Sequence, residues 1–213
     1  MNNDHSRLIE LYRKVRETKG VKRAFIGSGI RYDLFDDSNY FDIVVKHHTS
    51  GRLKVAPEHT EESVLKLMRK PSFTMFEDMH RRFKQICRRE ELNYQLIPYF
   101  ISSHPGCTER DMQALADKVL GKLHFNLEQV QELTPTPMTL SSVMFYMGEN
   151  PYDNKPLYVA RSQDDKRRQK SYFFGGELPK DTHHSRPSQG DKRGASRRED
   201  KPYKRSKRRN FNS

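Results

Sequence analysis

Residues 97–111 read IPYFISSHPGCTERD, and the grammar of this stretch decides the fold. An apolar run (Ile97, Tyr99, Phe100, Ile101) stops at Ser102-Ser103-His104-Pro105-Gly106. Thr108 and Asp111 then open an amphipathic pattern through Leu115, Val119 and Leu120. A buried strand, a tight polar loop and a capped helix produce that order. In α/β folds, ligands gather on the loops that leave the C-terminal ends of strands. The loop after Ile101 is therefore the first candidate site.

The same grammar recurs on both sides. Leu8, Ile9, Leu11, Tyr12 and Val15 share one face of a helix that Gly20 ends. Val21–Ile26 reads as a short strand, and Gly27-Ser28-Gly29 as a plain βα turn, because the longer phosphate-binding glycine patterns are absent. A helix over 40–48 follows; His47 and His48 at its end suit the helix dipole better than a metal. Arg52–Ala56 is the next strand, with Glu58 and His59 at its exit. That pair can hydrogen-bond a hydroxyl or amine of a ligand, or Glu58 can simply charge-pair with the following helix, which Thr60 and Ser63 open. Ser72 caps a longer helix that turns Phe73, Phe76, Met79, Phe83 and Ile86 inward. The strand 94–101 and its helix to about Lys122 follow, then a fourth strand over 127–133 and a helical turn over 142–146. Strands separated by helices pair in parallel through right-handed crossovers. The expected fold is thus α/β: about four parallel strands with flanking helices, a partial (β/α) barrel with an edge left open on its N-terminal side.

Charge divides the chain. Residues 161–213 carry 17 Lys/Arg against 7 Asp/Glu, and most of the net +12 lies there. The body, 1–160, is near neutral and large enough for a core, although the mean hydropathy of the whole chain is only −0.99. The tail is expected to be disordered, because such a composition buries too little to offset chain entropy. Tyr172, Phe173, Phe174, Tyr203 and Phe211 interleave with its basic residues. That suits single-stranded RNA, through phosphate contacts and base stacking; a solubilising tail is the alternative. The opening MNNDHSRLIELYRK lacks a signal peptide's apolar core, and no run is long enough to span a bilayer. The expectation is a cytoplasmic chain with no membrane partner.

Four phrases, VKRAFIGSGIRYDLF, GRLKVAPEHTEESVLKLMRKP, LIPYFISSHPGCTERDM and LEQVQELTPTPMTLSSVMFY, run in the order found in YgiQ-type radical SAM proteins. Residues 1–160 resemble the C-terminal half of that family. The resemblance implies a (β/α)6 partial barrel holding S-adenosylmethionine and a [4Fe–4S] cluster on a C-x-x-x-C-x-x-C loop. No such loop occurs here: Cys87 and Cys107 are the only cysteines, twenty residues apart. The resemblance places Glu58 and His59 near the cofactor's ribose and methionine end. It places Ser102, Ser103, His104, Gly106 and Glu109 on the loop flanking the adenine, and Arg31, Asp33 and Thr136 as polar contributors to substrate binding at the barrel mouth. Pro137-Met138-Thr139 stands where Pro-Gly-Thr is usual, and methionine adopts positive φ poorly.

Two functions from different classes follow. One is a fragment of a radical SAM iron–sulfur enzyme of unknown substrate, inactive alone, whose partner is the missing N-terminal half of the barrel if that half is separately encoded; neither cofactor is expected to bind this chain by itself. The other is an RNA-binding protein acting through residues 161–213. On the first reading Arg31, Glu58, His59, Ser103, His104 and Thr136 should open onto one concave face.

Overall fold

The computed structural model describes residues 4–35 and 39–174. Its sheet has three parallel strands in the order β1-β2-β3: β1 Arg52–Glu58, β2 Gln95–Ser102 and β3 Val130–Glu132. Helices flank it, and the sheet does not close into a barrel. Before β1 come α1 (Ser6–Glu17), a 3-10 turn (Tyr32–Leu34) and α2 (Tyr40–His48). Between β1 and β2 lie α3 (Glu62–Met68) and α4 (Phe73–Arg89). After β2, α5 (Glu109–Ala116) widens into a π-helical turn (Asp117–Lys122). Beyond β3 come α6 (Leu140–Met147) and α7 (Gln163–Ser171).

Both long strands alternate strictly. Leu53 and Val55 of β1 and Leu96 and Phe100 of β2 lie in the core. Phe73, Phe76, Met79, Phe83 and Ile86 of α4, with Val64 and Leu65 of α3 and Met112 and Leu115 of α5, pack in the same cluster. The other face, with Ile97, Tyr99 and Ile101, is only half-covered. Ser72 caps α4 as its position predicts, accepting from the Thr74 N–H. Thr108 and Asp111 form a reciprocal capping box at the start of α5. Pro57 and Pro98 lack an N–H, and the β1–β2 register slips between Val55 and Glu58. The slip sets Glu58 at φ 67°.

Three expectations are corrected. Val21–Ile26 is not a strand. Its Ile26 N–H bonds the His48 carbonyl at the end of α2 (2.8 Å), and the chain meets β1 beyond it, where the Ile30 N–H bonds the Lys54 carbonyl (3.3 Å) and a parallel bridge joins Ile30 to Val55. An edge segment with Lys22 and Arg23 outward and two glycines at its end has too little to pack on to build a ladder. The helix after β1 takes Glu61, not Thr60, as its N-cap, without a side-chain cap. The ordered body also continues past residue 160. The segment 163–171 is a helix capped by Ser162, whose hydroxyl accepts from the Asp165 N–H at 3.0 Å. Its Lys166 and Lys170 pair with Glu132, which accounts for two cations that the sequence assigns to the tail. Residues 175–213, where most of the basic tail lies, fall outside the described residues. Among the described residues no helix is long and apolar enough to cross a membrane.

Candidate functional site

β1 and β2 deliver their C-terminal ends side by side, and the chain builds two different environments there. The first is a buried knot. His59 is fully buried, and its Nδ1 accepts the Glu61 N–H at 3.0 Å. The imidazole proton therefore sits on Nε2, which faces the Cys107 sulfur at 3.4 Å. Burial holds the ring neutral, lowering its pKa to about 4. Burial, reinforced by the charge of Asp111, pushes the Cys107 thiol well above its ordinary range. A protonated Nε2 cannot take the thiol proton, so this pair is not an activated nucleophile.

The loop after β2 closes over the same knot. Ser102 donates its hydroxyl to the Gln131 carbonyl at 3.2 Å. Ser103 sits at φ 63°, its N–H bonded to Gln169 Oε1 at 2.8 Å, and its hydroxyl is buried without a partner. His104 donates from Nδ1 to the Pro105 carbonyl and accepts the Ser141 hydroxyl at Nε2, both at 2.8 Å. Burial lowers its pKa as well. Gly106 has φ 83°, and a Cβ there would lie 2.2 Å from Leu67 Cδ1, so the turn requires glycine. Gln169, on α7, completes the closure by donating to the Cys107 carbonyl at 2.9 Å.

The second environment is a charged rim beside β1. Glu58 turns to Lys70 at 3.0 Å. Arg31 and Asp33 pair at 2.5 Å, and that bond holds the Asp33 carboxyl below its usual range. Arg31, Tyr32, Asp33 and Lys70 line a cavity of about 50 Å³, room for a few water molecules.

The sequence-derived site residues thus divide. His59, Ser102, Ser103, His104 and Gly106 come together at the strand ends, while Arg31, Asp33 and Glu58 form the rim. Glu109 lies apart on α5, accepting the Tyr172 hydroxyl at 2.9 Å and meeting Arg168 at 3.4 Å. Thr136 is exposed, and its carbonyl accepts the Thr139 and Ser142 hydroxyls. The expectation of one open concave face does not hold for this chain as folded: His59, Ser103 and His104 are buried, because α7 and the residues before it cover the strand ends. Sequence reasoning missed Gln169 and Ser141. The signal for Gln169 was present in Ser162-x-x-Asp165, a capping motif ahead of helix-forming residues; Ser141 carried none.

The donor set of this chain does not fit a [4Fe–4S] cluster. Cys87 lies in α4 and Cys107 in the knot, and no group of three His, Cys, Asp or Glu among the described residues could hold a metal ion. The loop assigned to the adenine of S-adenosylmethionine is likewise engaged by Gln169, Ser141 and the Tyr158 carbonyl, which accepts the Gly106 N–H at 2.7 Å.

An open parallel α/β sheet with its polar residues at the strand ends is the class of protein that this geometry defines. No family model matches the chain. Over about four fifths of its length it is similar to proteins named UPF0313, the name carried by the YgiQ-type family. A UPF0313 protein of Bacteroides thetaiotaomicron is 47% identical over 185 residues, covering 82% of this chain and 30% of the relative. One from Porphyromonas gingivalis is 48% identical over 186 residues, and one from the archaeon Methanocella arvoryzae 45% over 168. The chain spans less than a third of the length of these relatives.

Proposed function

We propose that this chain corresponds to the C-terminal part of the barrel of a YgiQ-type radical SAM protein, with the cluster-binding residues supplied by a companion segment. The observation that carries this reading is the 45–48% identity to proteins more than three times as long as the matched stretch. Two features of the fold support it. The sheet is parallel and open, and its half-covered face presents Ile97, Tyr99 and Ile101, residues that further strands would enclose. Beside β1 the chain forms an isolated bridge at Ile30 rather than a ladder, so that side of the sheet is an edge where a further strand can pair. On this reading the chain's own residues hold the β1 and β2 exits in register, and Glu58, Arg31 and Asp33 line the mouth. The bound groups would bring radical chemistry from the companion segment.

Co-expression tests it. The chain is produced alone and together with the remainder of the Bacteroides thetaiotaomicron relative, and both samples are reconstituted anaerobically with iron and sulfide. The expected result is no cluster on the chain alone, and a stable complex with about four irons per pair that retains S-adenosylmethionine. A remainder that loads its cluster without ever binding this chain overturns the reading, as does a chain that assembles four irons by itself.

A further inference from the structure

Helix α7 differs from the other helices in what it buries. Six of its nine residues are charged, and Gln169 is its single buried side chain. The Gln169 carboxamide reaches both ends of one loop, accepting from the Ser103 N–H at 2.8 Å and donating to the Cys107 carbonyl at 2.9 Å. Beneath it lie the unpartnered Ser103 hydroxyl and the neutral His59–Cys107 contact. The remaining anchors are mostly ionic and keep some solvent contact, from 14% exposure at Lys166 to 54% at Arg168. Lys166 and Lys170 grip Glu132 at 2.7 and 3.4 Å, and Arg168 reaches Glu109 at 3.4 Å. Just past the helix, Tyr172 donates to Glu109 and, with Phe173, packs partly against the core. Ion pairs that are partly exposed are weak and screened by salt. Elements held by few buried apolar contacts are the ones that open first in a fold.

We propose that α7 is a displaceable latch: a carboxamide-tipped helix that seals the loop after β2 and, when released, uncovers a floor made of His59, Ser103 and Cys107. Glu132, at the end of β3, is its catch. Charge holds the latch, and the buried Gln169 bonds set its register, since a fully bonded buried amide specifies one docking position. The inference is independent of the radical SAM reading, because it needs only this chain.

The two cysteines supply the test. Cys107 lies directly under the latch, while Cys87 sits on α4 in the core. Full-length protein is alkylated with iodoacetamide under native conditions, and each thiol is followed by peptide mass spectrometry. Raising salt from about 0.05 M to about 0.5 M should speed Cys107 labelling roughly threefold by screening the ionic anchors, with Cys87 unchanged. The Lys166→Glu/Lys170→Glu variant should speed it on the order of tenfold, because two ion pairs are lost and like charges face Glu132 in their stead. Gln169→Ala should do the same without altering net charge. A Cys107 rate indifferent to salt overturns the latch. So does a rate that rises only in step with Cys87, which marks global unfolding; the wild-type salt series decides the matter even where a variant fails to fold.

Discussion

The exit of β2 and the outer edge of β1 start from the same kind of sequence and end differently. Both are apolar runs that break into a loop containing glycine: IPYFISSHPG in one, VKRAFIGSG in the other. The first becomes an eight-residue central strand with neighbours on both sides. The second forms no strand, and the chain bridges to β1 just past it, at Ile30. A strand therefore depends on its neighbours as much as on its own residues, because sheet propensity is largely the opportunity to pack and pair. Phe100 is completely buried, whereas Phe25 is 46% exposed, although either would pass for a core residue in the sequence.

The sharpest way to break this contrast is to truncate both aromatics. Phe100→Ala should cost about 3–5 kcal/mol, the usual range for a buried phenylalanine, and Phe25→Ala less than about 0.5 kcal/mol. Urea denaturation of the two variants measures both. Comparable losses would mean that the outer edge is packed in solution as firmly as the centre.

A smaller effect separates the sealed knot from the open edge by pH. The unfolded chain protonates His59 near 6.5, but burial delays protonation in the folded state to about 4. Between those values the unfolded state binds the extra proton, so stability falls as pH drops through this window and is unaffected by this group above it. From pH 7 to pH 5 the loss from His59 should be about 2 kcal/mol, and His59→Gln should flatten the slope. His80, whose pKa is also lowered to about 4 by burial, contributes in the same direction and persists in the variant. An unchanged slope in His59→Gln would show that the knot admits water and protons freely.

The smallest effect concerns the turn before α6. Met138 adopts φ 65° with its side chain wholly in solvent, so nothing offsets the strain of that backbone. Met138→Gly should stabilise the chain by about 0.5–1 kcal/mol, read as a raised thermal midpoint. A loss of stability would show that the methionine is covered in solution.

Much of the fold was legible because its signals are local. The alternation of β2, the inward face of α4, the Ser72 cap and the Thr108–Asp111 capping box each depend on residues within a few positions of one another. The knot was half legible. His59 and the Ser102–Gly106 loop stand at strand exits, where chemistry is expected, but their closure depends on Gln169, more than sixty residues downstream. Composition argued against order there, since a helix with six charged residues in nine is stable only where partners such as Glu132 and Glu109 await it.

By itself the sequence determined the alternation of helices with the strands β1, β2 and β3, the parallel pairing that this alternation demands, and the absence of a three-cysteine ligand set from this chain. Tertiary structure alone decided which apolar runs became strands, which of the polar strand-end residues were sealed and which formed the charged rim, and that a charged segment would dock over them. The reason is physical: periodicity and capping are carried by neighbours in the chain, whereas burial and pairing are set by whichever surfaces meet in space.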